Sequence, residues 1–192
     1  MSKVVIAGDA SGTGTFTISA PNGNTDRTLV LPDEAGTVLT SASSIVQNTG
    51  AVFKAHNSVN QSVSHNTFAK FAANTIIYNE GGFWDTTNYK FTPTVAGYYQ
   101  FSASAHISSN TNQYVSIELR KNNSVATYES NVIFGNASGE MMSKVSDVIY
   151  LNGTTDYVEL FIYQYDYTSN AARNVFANKN SSFISGFLVR TA

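Results

Sequence analysis

Short apolar stretches alternate along this chain with clusters of Asn, Ser, Gly and Thr, at intervals of roughly 10 to 15 residues. Within the stretches, apolar and polar positions tend to alternate with a period of two. No window carries clean apolar positions at i, i+3, i+4 and i+7, so no amphipathic helix is predicted. From Ala51 the pattern predicts about ten strands, over 51–55, 67–71, 75–78, 91–93, 97–107, 113–120, 125–134, 141–151, 156–167 and 183–190. That number suits one domain of two packed antiparallel sheets. The turn-rich stretches 79–90 and 168–181 read as loops.

Several late strands are apolar on both faces. Phe161, Tyr163, Tyr165 and Tyr167 occupy one parity, and Val158, Leu160 and Ile162 the other. The stretch 183–189 repeats the pattern. A solvated sheet face should be polar, so the outer face calls for a cover, and a second copy of the chain supplies one most simply. Tyr98, Tyr163 and Tyr165 are therefore the expected inter-subunit residues.

The first 45 residues differ. They hold short apolar pieces at 15–18, 28–31 and 37–40, separated by turns at 21–24 and 32–36. Such pieces cannot enclose a core alone. They read as an attachment stem ordered by other chains, with the small polar stretch 41–50 as a linker into a head domain over 46–192.

Composition narrows the function. Of 192 residues, 11 are Lys or Arg and 13 are Asp or Glu, leaving a net charge of −2. Phosphate neutralisation needs clustered cations, so nucleic acid is not an expected partner. The apolar runs are too short for a membrane helix, and the first residues do not read as a secretory signal. With no Cys, disulfide frameworks, thiolate metal sites and thiol nucleophiles are excluded. The 23 Phe and Tyr residues, counted as 12 plus 11, support a folded β-protein rather than disorder.

Catalytic chemistry is thin. There is no Gly-x-Ser-x-Gly elbow and no phosphate loop. His56, His65 and His106 lack metal-ligand spacing. The pair Asp85 and Glu80 is the kind of chance pairing that 13 acids produce. The chain is not expected to be an enzyme or to need a cofactor. Calcium would draw on Asp85, Asp166 and Asn170, but no run of ligands is present. Trp84 is expected in the core.

Two resemblances add to this reading. The block from Asn79 to Phe101 holds Asn79-Glu80-Gly81-Gly82-Phe83-Trp84-Asp85 and Phe91-Thr92-Pro93-Thr94-Val95-Ala96-Gly97-Tyr98-Tyr99-Gln100-Phe101. It resembles the signature of the globular head of complement component one, subcomponent q, kin to tumour necrosis factor, with Pro93 one position early. Ala51-Val52-Phe53, Leu151 to Leu160 and Ser182 to Leu188 match the opening, penultimate and closing motifs, although two residues separate Gly153 from Asp156. The resemblance covers Ala51 to the end. It implies a ten-stranded jelly roll assembled as a homotrimer. No collagen-like Gly-x-y repeat is present.

The N-terminal residues Gly12 to Pro21, Arg27 to Asp33 and Ala35 to Thr40 resemble a segment recurrent in tail-fibre and other structural proteins of tailed bacteriophages. Together the two halves imply a trimeric virion fibre, assembled in the bacterial cytoplasm. The stem would join tail or capsid proteins, and the head would bind a host surface glycan or protein. A non-adhesive decoration or fibre-capping role is the alternative. Strand alternation places the loops 108–112, 135–139 and 168–181 at the tip of the head and 122–124 and 152–155 at its base. Asn110, Asn112, Asn136, Arg173, Asn174, Phe176 and Asn178 are then the expected receptor contacts, offering hydrogen bonds, charge and stacking.

Overall fold

The computed structural model describes residues 11–15, 17, 22–23, 26, 28 and 50–192 apart from 110–111 and 134–138, with backbone alone over 128–133. The chain divides into two compact units, Met1–Thr40 and Ser41–Ala192. The stem strands expected at 15–18, 28–31 and 37–40 fall almost wholly outside the described residues, as do Asn110 and Asn136.

The second unit is all-β, and no helix occurs among the described residues. Its thirteen strands are β1 (Val52–His56), β2 (Gln61–Val63), β3 (Thr67–Lys70), β4 (Thr75–Glu80), β5 (Trp84–Asp85), β6 (Lys90–Phe91), β7 (Gly97–Ser109), β8 (Gln113–Lys121), β9 (Ser124–Ile133), β10 (Gly139–Leu151), β11 (Val158–Asp166), β12 (Arg173–Val175) and β13 (Phe183–Thr191). One sheet runs β2-β12-β7-β13-β1-β4, with β10 on the other side of β7; the second runs β5-β6-β11-β8-β9, with β3 also on β11. All pairings are antiparallel. The corners between β7 and β8, β9 and β10, and β10 and β11 carry the chain from one sheet to the other, which makes the sandwich a jelly roll.

Three strands were not legible in the pattern: β2, β5 and β12. Each is two or three residues long and buries a single side chain, Val63, Trp84 and Val175 respectively. A strand that short shows no alternation to read. Arg173–Val175 lies inside the predicted loop and forms a strand because β2 pairs with it from Val63 to Gln61.

The core is aromatic where the motif residues converge. Phe53 is fully buried between Trp84, stacked at 4.9 Å, and Phe91, stacked at 4.7 Å. Trp84 is 4% exposed and donates its indole N–H to Ala73 O at 2.9 Å. Tyr99 donates its hydroxyl to Val95 O at 2.7 Å, so a buried phenol keeps its partner. Gly186 is required by packing: a Cβ there would meet Phe101 Cδ1 at 2.8 Å and Phe53 Cε1 at 3.0 Å. The Asn79 side chain accepts from Trp84 N at 3.1 Å and closes the Gly81-Gly82 turn, whose φ angles of 87° and 73° suit glycine.

Candidate functional site

The sandwich offers two ends and two outward faces. At the base, Asn122 and Asn123 form a two-residue hairpin turn with φ of 51° and 64°. Asn122 Oδ1 accepts from Tyr157 N at 3.0 Å and its amide donates to Asp156 Oδ1 at 2.8 Å. Lys121 Nζ lies 2.8 Å from Asp156 Oδ2. Asn152 Oδ1 accepts from the backbone N–H groups of Thr154, Thr155 and Asp156, each at 3.0 Å. The longer turn between Gly153 and Asp156 is thus held by Asn152. The Lys121 and Asn122 contacts hold the Asp156 carboxyl below its ordinary value, against the opposing effect of burial.

That depression has a stability consequence with a defined sign. A carboxyl lowered on folding stabilises above its unfolded value of 3.8, and the benefit is lost as pH falls through the folded value. Asp156→Asn is expected to cost about 1–2 kcal/mol at neutral pH. Urea unfolding should show the deficit shrinking below the ordinary carboxylate range. A deficit unchanged by acid would mean that charge is not what Asp156 contributes.

At the opposite end, the expected receptor contacts separate. Arg173 pairs with Asp166, which is fully buried. Burial opposes the charged form of Asp166, but the Ser169 N–H and hydroxyl, the Thr168 N–H and Arg173 outweigh it and hold the carboxyl well below the usual range. Arg173 thus serves as the internal counterion of Asp166. Asn112 has φ of 54°, and its carbonyl accepts from Tyr167 N at 3.0 Å. Asn174 is exposed, and its N–H donates to Ser108 Oγ at 3.0 Å. Phe176 and Asn178 sit away from this corner. Phe176 N donates to His106 O at 2.8 Å and its ring lies 4.9 Å from the His106 ring. Asn178 Oδ1 accepts from Asn180 N at 2.9 Å and its carbonyl from Ser181 and Ser182.

Of the calcium candidates Asp85, Asp166 and Asn170, the two carboxylates are engaged within the chain. Asp166 is paired as above, and Asp85 Oδ1 accepts from Thr87 N at 2.7 Å and Asn88 N at 2.9 Å. Among the described residues no three His, Cys, Asp or Glu side chains converge as a metal site.

The three expected interface tyrosines are not brought together. Tyr98 stands on the outward face of the β7 sheet, opposite Tyr150 on β10 and Arg190 on β13. Tyr163 and Tyr165 stand on the outward face of β11, in the other sheet. Their rings are half-covered within the chain: Tyr163 by Phe68 at 4.8 Å, and Tyr165 by His65 at 4.3 Å and Tyr167 at 4.6 Å. The apolar second face of β11 is thus partly explained without a second copy.

The face around Tyr98 is different. The cross-strand row Val52, Phe187, Gln100 and Val148 crosses four strands. Phe187 is 49% exposed, Val148 48%, Tyr150 41% and Tyr98 36%. The next row, Lys54, Ser185, Ser102 and Ser146, is small and polar. Gln100 donates to Ser146 Oγ at 2.8 Å and bridges the two rows. Val148, Tyr150 and Phe187 do not stand out in the sequence, because alternation shows that a position faces out but not which outward positions become neighbours.

The profile of the C1q domain matches residues 52–189. No curated protein matches the chain. Among solved structures, the Eiger TNF of S. frugiperda is similar at a TM-score of 0.53 and 14% identity, over 74% of this chain and 93% of that one. Murine APRIL is similar at a TM-score of 0.55 and 9% identity, over 73% of this chain and 99% of that one. The globular domain of zebrafish complement 1qA is 16% identical over 74% of this chain and 98% of its own, at a TM-score of 0.48. At these identities the Eiger and APRIL structures speak to fold alone, and that fold is the jelly roll built above. With the profile spanning nearly the whole second unit, the chain belongs to the C1q domain family.

Proposed function

We propose that this protein is a non-catalytic, homotrimeric binding head of a bacteriophage virion fibre, joined to tail or capsid proteins by its N-terminal segment and attaching to the host cell surface. The observation that carries the assembly is the outward face of β13, β7 and β10. Tyr98 and Tyr150 pair there, and Phe187 and Val148 flank Gln100 in the adjacent row, each of the four apolar residues more than a third exposed. A soluble monomer seldom leaves so many large apolar groups contiguous, and burial against neighbouring copies removes them from water. Homotrimers are common in the family. Support for the virion context comes from the resemblance carried by Gly12 to Thr40. Three copies of a head offer three equal sites, and avidity then compensates for weak single-site binding. Of the loop residues first expected at the tip, the exposed Asn174 is the one we retain as a contact, since Arg173 is committed to Asp166.

Light scattering on a sizing column tests the assembly. The expected mass is about three times the 20.7 kDa chain. Phe187→Glu should reduce it to one chain, because three carboxylates would be buried without partners. A trimer that survives this substitution would place the interface elsewhere. A wild-type mass of one chain would overturn the fibre reading. Attachment is tested by adsorption of labelled protein to candidate host bacteria.

A further inference from the structure

On the side of the sandwich away from the proposed interface, the second sheet carries a depression of about 660 Å³. Its lining includes Phe68, Tyr114 and Tyr163 with Asn66, Ser116 and Glu118. The register explains the grouping. Tyr163 on β11 is flanked by Phe68 on β3 and by Ser116 on β8. The Phe68 and Tyr163 rings lie 4.8 Å apart, and Tyr114 meets Tyr163 edge to face at 5.8 Å.

Polar atoms stand among the rings. Ser116 is 3% exposed and Glu118 is 7% exposed. Arg120 contacts Glu118 through Oε2 alone, at 2.9 Å from Nε and 2.8 Å from its terminal nitrogen, so Oε1 keeps its acceptor capacity. Tyr163 donates its hydroxyl to Asn66 Oδ1 at 2.8 Å, which leaves the Asn66 amide N–H groups as donors. The site is braced from the side, on the same outward face. Arg120 stacks on Phe161 at 4.1 Å and Phe68 at 4.6 Å, and Lys70 pairs with Glu159. Asn66 holds φ of 55°, with its N–H on Gln164 O at 2.9 Å.

A pyranose ring has an apolar C–H face and a rim of hydroxyls. A wall of aromatic faces takes the first, and a mixture of carboxylate, amide and hydroxyl groups takes the second. The volume falls within the range of small-ligand pockets. Glu118 is paired with Arg120, and its remaining oxygen accepts hydrogen bonds, which suits a sugar hydroxyl rather than a second carboxylate. The depression lies over the outward side-chain faces of β3, β11 and β8, whereas a peptide added as a strand would dock along a backbone edge. We infer that this depression binds a neutral hexopyranose residue of a glycan. The inference does not depend on the virion reading: sugar titration tests the one, and mass and cell adsorption test the other.

The test is saturation-transfer NMR on the full chain. The probes are methyl α-D-mannopyranoside, methyl β-D-glucopyranoside and methyl β-D-galactopyranoside, with N-acetylneuraminic acid as the acidic comparison. At least one neutral glycoside is expected to bind with millimolar affinity, and the acidic sugar is expected to give no transfer. Phe68→Ala removes a partly exposed ring and should weaken binding at least about tenfold while the folded β-sheet circular dichroism spectrum is kept. Tyr163→Phe, which keeps the ring, should retain most of it. No transfer to any neutral glycoside overturns the inference. So does equal transfer in Phe68→Ala, or equal transfer to the acidic sugar. Binding lost in Asn174→Ala but kept in Phe68→Ala also overturns it, and moves the sugar to the end loops.

Discussion

Phe53→Ala is expected to lower stability by about 4 kcal/mol, within the range for deleting a buried phenyl ring. Phe53 is fully buried and is the ring through which the two sheets meet. Trp84 stacks on it at 4.9 Å, Phe91 at 4.7 Å, and Phe101 meets it edge-on at 6.3 Å. Its neighbours cannot collapse into the space. Trp84 is tied to Ala73 O through its indole N–H, and Gly186 has no side chain to offer. The void is therefore expected to stay open, and the melting temperature to fall by about 10 °C. Phe53→Leu keeps most of the volume and should cost about 1.5 kcal/mol or less. Urea unfolding of both variants checks this. A loss below about 1 kcal/mol for the alanine variant would mean that the aromatic cluster repacks.

Arg173→Ala is expected to cost about 3 kcal/mol, because it strands a buried carboxylate. Asp166 retains the Thr168 N–H, the Ser169 N–H and the Ser169 hydroxyl at 2.7–3.0 Å, so its hydrogen bonds are partly kept while its counterion is lost. The sign with pH follows. A carboxyl held far below its unfolded value of 3.8 contributes fully above that value and loses its contribution only at strongly acid pH. Adding Asp166→Asn to Arg173→Ala removes the stranded charge and should recover part of the loss, which a double-mutant cycle measures. If Arg173→Ala weakens adsorption to host cells while leaving stability intact, the counterion role is wrong and the receptor-contact role returns.

The long strands were legible because they alternate over enough residues for the period of two to show. Residues 97–107 were read as a strand and lie within Gly97–Ser109; residues 141–151 lie within Gly139–Leu151. The motif from Asn79 to Phe101 was legible as a unit, and the structure supplies its reason. Asn79 closes the glycine turn, Trp84 and Phe91 sandwich Phe53, and Tyr99 caps Val95 O. The pairing of Arg173 was not legible because its partner is seven residues back, across a loop whose course the sequence does not show. An arginine among Asn and Ser looks solvated until the chain returns it to Asp166.

What this sequence determined alone was the β-class, the inward parity of each long strand and the family signature. These depend on local alternation and on residues close together along the chain. What the tertiary structure decided was which outward residues become neighbours. Tyr98 joined Tyr150 and Arg190 on one sheet, while Tyr163 joined Phe68 and Ser116 on the other. The physical reason is that a strand's own pattern fixes which way a side chain points, whereas its lateral neighbours are set by pairing register with strands far away along the chain, as Val52 with Phe187.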